Sequence, residues 1–348
     1  MVPATTDSIS PGQRRVALVG LNVRAERLLI PGFQRAGNCA LVALCSRSEA
    51  KAREAADRHS VPHAFGSIEA LVAADVADTV FVNTPASAHA ASVIAAARAG
   101  LAVICEKPLA DTAASAREAA AAVATAGVAN AVHFTMRGLA GPRMAARLLA
   151  QGRIGRLRHV EVAMLQPKEL VPPHPGQSAL VELGPHAIDL VRWWTTSAGE
   201  EGPPTLIGAT AVPLAPQGPD AAAQALLRMG SGTMVSVLTS RVASGFENGI
   251  RALLCGDRGS IAVDVGARSV SLRWAPPDGP FQAVDIDPEL EVSFQEFPAV
   301  QMRGLVASLD GSGQFPAVPE ALAIQELQDA IAVRAGLDLE ALARAGRP

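Results

Sequence analysis

The amino-acid sequence predicts an α/β protein in two parts. A parallel, helix-flanked sheet comes first, and an α/β region built on a large, mostly antiparallel open sheet follows. Three observations predict this. Short continuous apolar runs alternate with alanine-rich helical stretches up to about residue 134; a helix–strand–long-helix passage follows; and glycine-centred hairpin patterns dominate beyond residue 220. Strands buried on both faces read as unbroken apolar runs, and regular strand–helix alternation builds a parallel sheet. Half of the 348 residues are apolar, enough for two cores.

Residues 1–13, opening "MVPATTDSISPG", read as a disordered polar tail. "RVALV" (15–19) is the first strand, followed by a helical run to Arg35 that Pro31 should kink or shorten. Arg14-Arg15 could pass for a twin-arginine export signal, but only four apolar residues separate it from Gly20, too few for a signal core. "ALVALC" (40–45) precedes a helix that Ser48 caps. "DTVFVN" (78–83) leads into a helix over about 88–99, closed by Gly100. "LAVIC" (101–105) precedes a helix capped by Asp111-Thr112 and stopped at Gly127, and "VANAVHF" (128–134) ends the series.

In such a sheet, ligands bind at the carboxyl ends of the strands. Four segments of chemical interest fall there: "GLNVRA" (20–25), "SRS" (46–48), "NTPASAH" (83–89) and "EKP" (106–108). "GLNVRA" stands where a GxGxxG/A phosphate turn would, with Gly20 first, Ala25 last, and Asn22-Val23 where the middle glycine and its neighbour belong. With a strand before and a helix after, the pattern points to a dinucleotide-binding domain of the Rossmann type. The second strand ends in Ser46-Arg47-Ser48, with no acid to hydrogen-bond a ribose 2′-OH. A guanidinium between hydroxyls suits a 2′-phosphate, which favours NADP(H), with NAD(H) as the alternative. The competing reading makes Arg47 a solvated loop residue.

Lys107 is one of three lysines among 30 basic side chains. Lysine can release its proton where arginine cannot, so an isolated lysine between an acid and a proline invites a proton-handling role. A surface lysine at a strand end is the alternative.

In the second part, "PRMAARLLAQG" (142–152) reads as a helix and "RHVEVAML" (158–165) as a strand. A proline-rich loop (166–178) carries Lys168 and His174. "ALVELGPHAIDLVRWW" (179–194) has helical spacing and an internal Gly184-Pro185. Glu182, His186 and Asp189 share one face, and Trp193 falls on it too; Leu183, Ala187, Leu190 and Trp194 mark the core side. His186 titrates near working pH and suits a general acid or base. An ordinary surface Glu–His pair is the alternative, and packing is the alternative for Trp193. The 200–220 stretch reads as a long loop. Hairpins follow around Gly230–Gly232 and Gly256–Gly259, with a further strand at "SVSLRWA" and helices near 297–309 and 319–335 closing the second domain.

The run "VFVNTPASAHAASVIAAARAGLAVICEKPLA" resembles the Gfo/Idh/MocA oxidoreductases: Glu106-Lys107-Pro108 matches their EKP signature, Thr84, Pro85 and His89 their TPxxxH element, and Phe134 and Arg137 an FxxR element. The similarity runs from residue 14 to about 335. It implies a Rossmann domain (14–134) followed by a substrate-binding and oligomerisation domain (135–348). It also implies Lys107 beside the nicotinamide, and an Asp…Gly-x-His…Asp segment in which His186 and Asp189 match while Glu182 replaces the first aspartate. The expected reaction is hydride transfer between nicotinamide and a carbinol or carbonyl carbon of a sugar, amino sugar, nucleotide sugar or cyclitol. Lys107 and His186 would manage the proton, with Glu182 orienting. The cofactor site would comprise Gly20, Asn22, Val23, Ala25, Ser46, Arg47, Ser48, Asn83, Thr84, Pro85, His89, Glu106 and Lys107. Lys107, Arg137, Lys168, Glu182, His186 and Trp193 would meet substrate. No metal is implied. A non-catalytic sensor, a redox-neutral glycosidase and an imine reductase are the alternatives.

Net charge −3 without a basic stretch argues against nucleic acid, and no apolar run reaches bilayer length. Four cysteines without ligand spacing read as reduced thiols of a cytoplasmic protein. The open sheet offers a face for a homodimer or homotetramer.

Overall fold

The computed structural model describes residues 12–167, 178–214, 218–246, 248–266 and 269–338. The N-terminal tail to residue 11, and Lys168 and His174 of the proline-rich loop, lie outside them. The chain divides into two compact units: 1–138 with Val292–Leu322, and Leu139–Glu291 with the C-terminal stretch from Ala323.

The first unit carries a six-stranded parallel sheet. Its strands are β1 (Arg14–Val19), β2 (Cys39–Cys45), β3 (His63–Phe65), β4 (Thr79–Val82), β5 (Ala102–Glu106) and β6 (Asn130–His133), in spatial order β3-β2-β1-β4-β5-β6. This is the doubly wound order, whose direction reverses between β1 and β4 and leaves a crevice at their carboxyl ends. Helices α2 (Glu49–His59), α3 (Ile68–Ala73), α4 (Ala86–Arg98) and α5 (Ala113–Ala126) connect the strands. Ser48 and Thr112 cap α2 and α5 by accepting from Lys51 N and Ser115 N.

Pro31 acts through a change of helix type. Residues Ala25–Leu29 form a π-turn, and α1 (Ile30–Ala36) starts afresh with the proline in its first turn, where no N–H is needed. β3 and α3 carry no strong periodic signal because three and six residues are too short to show one.

The segment after Val292 corrects one expectation. Helix α8 (Phe297–Ser308) closes the first unit, not the second. It packs on α1 at Gly32, where a Cβ would meet Pro298 O at 2.9 Å, and adds Met302, Leu305, Val306 and Leu309 to that unit's core. Val132 N also donates to Pro316 O at 2.8 Å, satisfying the edge strand β6.

The second unit carries eight strands in the order β14-β13-β12-β11-β7-β10-β9-β8. They are β7 (Leu157–Leu165), β8 (Thr205–Pro213), β9 (Asp220–Arg228), β10 (Met234–Ser240), β11 (Gly249–Gly256), β12 (Gly259–Val265), β13 (Val270–Ala275) and β14 (Gln282–Ala283). β7 and β10 are parallel and the other neighbours antiparallel. Both glycine-centred hairpins form as expected, and Gly259, at φ +147°, lies so close to Ala275 O that a Cβ would stand 2.5 Å from it. The expected loop at 200–220 is in fact largely β8, an edge strand. Two register shifts interrupt its pairing, and it is nowhere fully buried, so it lacks the alternation that betrays a strand.

Helices α6 (Ala140–Ala150) and α7 (Ala179–Ser197) belong to this unit, α7 packs on β7, β9 and β10, and α9 (Val318–Arg334) ends the described chain. Cys39, Cys45 and Cys105 are buried, and burial pushes the Cys39 thiol up to about 12 and the Cys45 thiol to about 11, which keeps both inert. Among the described residues, no helix is long and apolar enough to cross a membrane.

Candidate active site

The turn after β1 is tight because only glycine fits it. Gly20 has φ +102°, and a Cβ there would sit 2.5 Å from Asn83 O and 2.7 Å from Thr84 N, at the end of β4. Asn83 N donates to Val19 O (2.7 Å), and its carboxamide donates to Gly20 O (3.0 Å). The chain ends of β1 and β4 are thereby locked together at the crevice.

Asn22 uses its side chain on its own turn: Oδ1 accepts from Ala25 N at 2.8 Å and the carbonyl accepts from Glu26 N at 3.1 Å. The residue at the middle-glycine position thus caps the first helical turn, and Val23 beside it is 67% exposed. Nearby, the Thr84 hydroxyl is buried and makes no hydrogen bond among the described residues. A glycine cradle with solvent-facing backbone at a helix start and an unused hydroxyl at the neighbouring strand end fits a dinucleotide. Pro85 leads α4 without a side-chain cap.

Ser46, Arg47 and Ser48 follow β2. Arg47 is exposed, and Ser48 Oγ is engaged as the α2 cap.

Glu106 ends β5 and is buried. Its Oε1 accepts from Arg24 Nη1 (2.5 Å) and from His133 Nδ1 (2.7 Å). Burial alone would raise its pKa, but the charges and hydrogen bonds of His133 and Arg24 outweigh burial and hold the carboxyl far below the usual range. Lys107 follows, joined to Pro108 by a cis peptide. His89 is buried with Nδ1 at 2.7 Å from Pro108 O and Nε2 at 2.7 Å from Thr84 O. Its ring is spent on protein carbonyls, which links the strand ends of β4 and β5. Arg137 is buried in a 3₁₀ turn. Its Nη1 donates to Gln314 O (2.9 Å) and its Nη2 lies 3.6 Å from Glu320, so the structure turns it to the segment around α8 and α9.

In the second unit, Ser178 caps α7 by accepting from Val181 N (3.0 Å), and Asp220 accepts from Leu180 N (2.9 Å). The helix runs unbroken through Pro185 and is buried nearly all round. His186 is 6% exposed and Asp189 fully buried, so the face expected to be polar is largely interior, while Glu182 and Trp193 are half-buried. Asp220, which opens β9, and Arg241, which follows β10, are buried charges in stretches where a lone charge looks like a loop residue. Arg24, His133 and Gln301 gather at Glu106 only in space, so no local pattern marks them. Among the described residues, no three His, Cys, Asp or Glu side chains cluster to hold a metal.

These features define a nucleotide-binding α/β protein with a second, sheet-based unit. The oxidoreductase family with an NAD-binding Rossmann fold, Gfo/Idh/MocA, matches residues 14–134, and the Gfo/Idh/MocA C-terminal domain matches residues 143–262. The chain belongs to the Gfo/Idh/MocA family. Among curated relatives, it is 32% identical to a 1,5-anhydro-D-fructose reductase of Ensifer adhaerens over 51% of this chain and 56% of that one. It is 31% identical to a trans-1,2-dihydrobenzene-1,2-diol dehydrogenase of Danio rerio over 64% and 66%, respectively. The matches thus span at most about two thirds of those proteins. A levoglucosan dehydrogenase solved with NADH and levoglucosan shares the fold, with TM-score 0.81, 22% identity and coverage of 93% of this chain and 97% of that one.

Proposed function

We propose that the protein is an NAD(P)-dependent oxidoreductase acting on a polyhydroxylated small molecule: a sugar, amino sugar, nucleotide sugar or cyclitol. One observation carries the reading. The Gly20 cradle, the Thr84 hydroxyl and the residue pair Glu106-Lys107 stand at the carboxyl ends of β1, β4 and β5, where a doubly wound sheet binds its ligand. The names of the relatives, which are reductases and dehydrogenases of sugars and diols, support the substrate class.

The nicotinamide, when bound, supplies or accepts the hydride. Gly20, Asn22, Val23 and Ala25 form the turn for the pyrophosphate; Asn83, Thr84 and Pro85 line the neighbouring strand end. Ser46, Arg47 and Ser48 suit a 2′-phosphate, which favours NADP(H). Lys107 Nζ exchanges a proton with the substrate oxygen, an amine being able to give and take one where a guanidinium is not. His186 is the second proton-handling group, oriented by Glu182. The open face of the eight-stranded sheet, with Leu226 and Phe281 partly exposed, is proposed as the homo-oligomer contact.

The test is turnover of NADPH and NADH against a panel of aldoses, keto-sugars and cyclitols. Net consumption with one substrate group is expected, and Lys107→Met should abolish it while cofactor affinity stays within several-fold. Cofactor binding without net turnover of any panel member, or undiminished turnover in Lys107→Met, would overturn the reading.

A further inference from the structure

Three side chains from separate parts of the first unit converge on the residue before Lys107. Arg24 comes from the turn after β1, His133 from β6, and Gln301 from α8. Gln301 Nε2 donates to Thr135 O (2.8 Å), which fixes the amide and presents Oε1 to His133 Nε2 at 3.1 Å. His133 Nδ1 meets the Glu106 carboxylate at 2.7 Å. Each ring nitrogen therefore faces an oxygen, Nδ1 the carboxylate and Nε2 the amide. Phe81 and Phe315 press edge-to-face on the ring at 5.9 and 5.8 Å, so it cannot turn away.

We propose that Arg24, His133 and Gln301 are positioning residues that act through the Glu106 carboxylate to place Lys107 and set the charge beside it. The proposal rests on the reading of Lys107 as the proton-handling group. Stability alone is a weak reason for the cluster, because apolar side chains of similar volume commonly hold a core as well as a buried ion pair does. Its site does: Glu106 is the last residue of β5 and Lys107 the first beyond the sheet. The Arg24 guanidinium sets a permanent positive charge against the Glu106 carboxylate, next to the lysine. Among the described residues, further ionisable groups here include His89, electrostatically coupled to both Glu106 and Lys107, the buried Cys105 thiol, and Asp111 in the following turn.

The scarcity of lysine supplies the test. In the full chain labelled with ε-13C lysine, Lys51, Lys107 and Lys168 give three side-chain resonances, and Lys107→Arg identifies the one of interest. Arg24→Gln, at a half-exposed side chain, removes a positive charge and should raise the Lys107 titration midpoint by about half a pH unit or more. Glu106→Gln removes a negative charge and should lower it. Arg24→Lys should restore most of the wild-type value, and Lys51 and Lys168 should not move. An unmoved Lys107 in folded Arg24→Gln would overturn the proposal. So would shifts of the same sign in both variants, or NADPH affinity weakened more than about tenfold with Lys107 unmoved, which would make Arg24 a phosphate ligand. Should Glu106→Gln fail to fold, Arg24→Gln decides alone. Undiminished hydride transfer in Lys107→Met would refute the reading of Lys107 separately, without touching these shifts.

Discussion

His89 Nδ1 lies 2.7 Å from the carbonyl oxygen of Pro108, and the same ring reaches Thr84 O at 2.7 Å on its other side. One imidazole thus ties the residue after Lys107 to the end of β4. Burial lowers its pKa and outweighs the opposing pull of the two carbonyls and Glu106. His89→Ala should lose about 1–3 kcal/mol of stability, the cost of unsatisfied buried carbonyls, in urea unfolding. Turnover should fall more than cofactor affinity, because the Pro108 side of Lys107 is released.

Acid should weaken the fold in two stages. His89, lowered from 6.5, and Glu106, lowered from 4.5, both bind protons more readily in the unfolded chain, so stability rises with pH across each window. The His89 contribution is whole above about 6.5 and is lost as pH falls below it. The Glu106 contribution is whole above about 4.5 and is lost progressively below. Unfolding free energies measured from pH 8 to 4 should therefore decline from about 6.5 downward and again near the bottom of the range, and Glu106→Gln should flatten the lower decline.

At the cradle, Gly20→Ala must accept a left-handed backbone and a Cβ 2.5 Å from Asn83 O. The backbone angle alone should cost about 1–3 kcal/mol, and cofactor binding should be lost. Asn22→Ala, which removes a cap, should lose about 1 kcal/mol, and Asn22→Gly only a few tenths. Fluorescence titration with NADPH should show the glycine variant binding more tightly than wild type, because the backbone can then approach the pyrophosphate.

Arg47 stands exposed after β2, between Ser46 and Ser48. Arg47→Ala should weaken NADPH at least about tenfold and leave NADH nearly unchanged, as expected when a charge-assisted pair to phosphate is removed. Equal effects on the two would make Arg47 a solvent-facing residue.

Much of this was legible in the sequence. Five of the six parallel strands and the glycine turn announce themselves because buried strands and a left-handed turn leave few residue choices. Lys107 stood out by rarity. Other features are invisible to periodicity. β8 is an edge strand that buries no face, and α7 is buried nearly all round, so a polar face drawn on a helical wheel misplaces Asp189. Arg24 and Glu106, 82 residues apart, meet only because β1 and β5 end on the same side of the sheet. Nor does any local pattern say that α8 belongs with strands laid down far earlier.

That last arrangement has a consequence for biosynthesis. The nucleotide-binding half is discontinuous: its final helix, with Gln301 and the cover over Phe33, is translated only after Leu139–Glu291 has been made. At roughly 5–20 residues per second, the sheet waits on the order of ten seconds on the ribosome with one flank bare. Nascent chains halted before α8 should therefore be open to proteases and chaperones at the face that α8 later covers, and a cut anywhere between the halves would separate Glu106 from part of its own support.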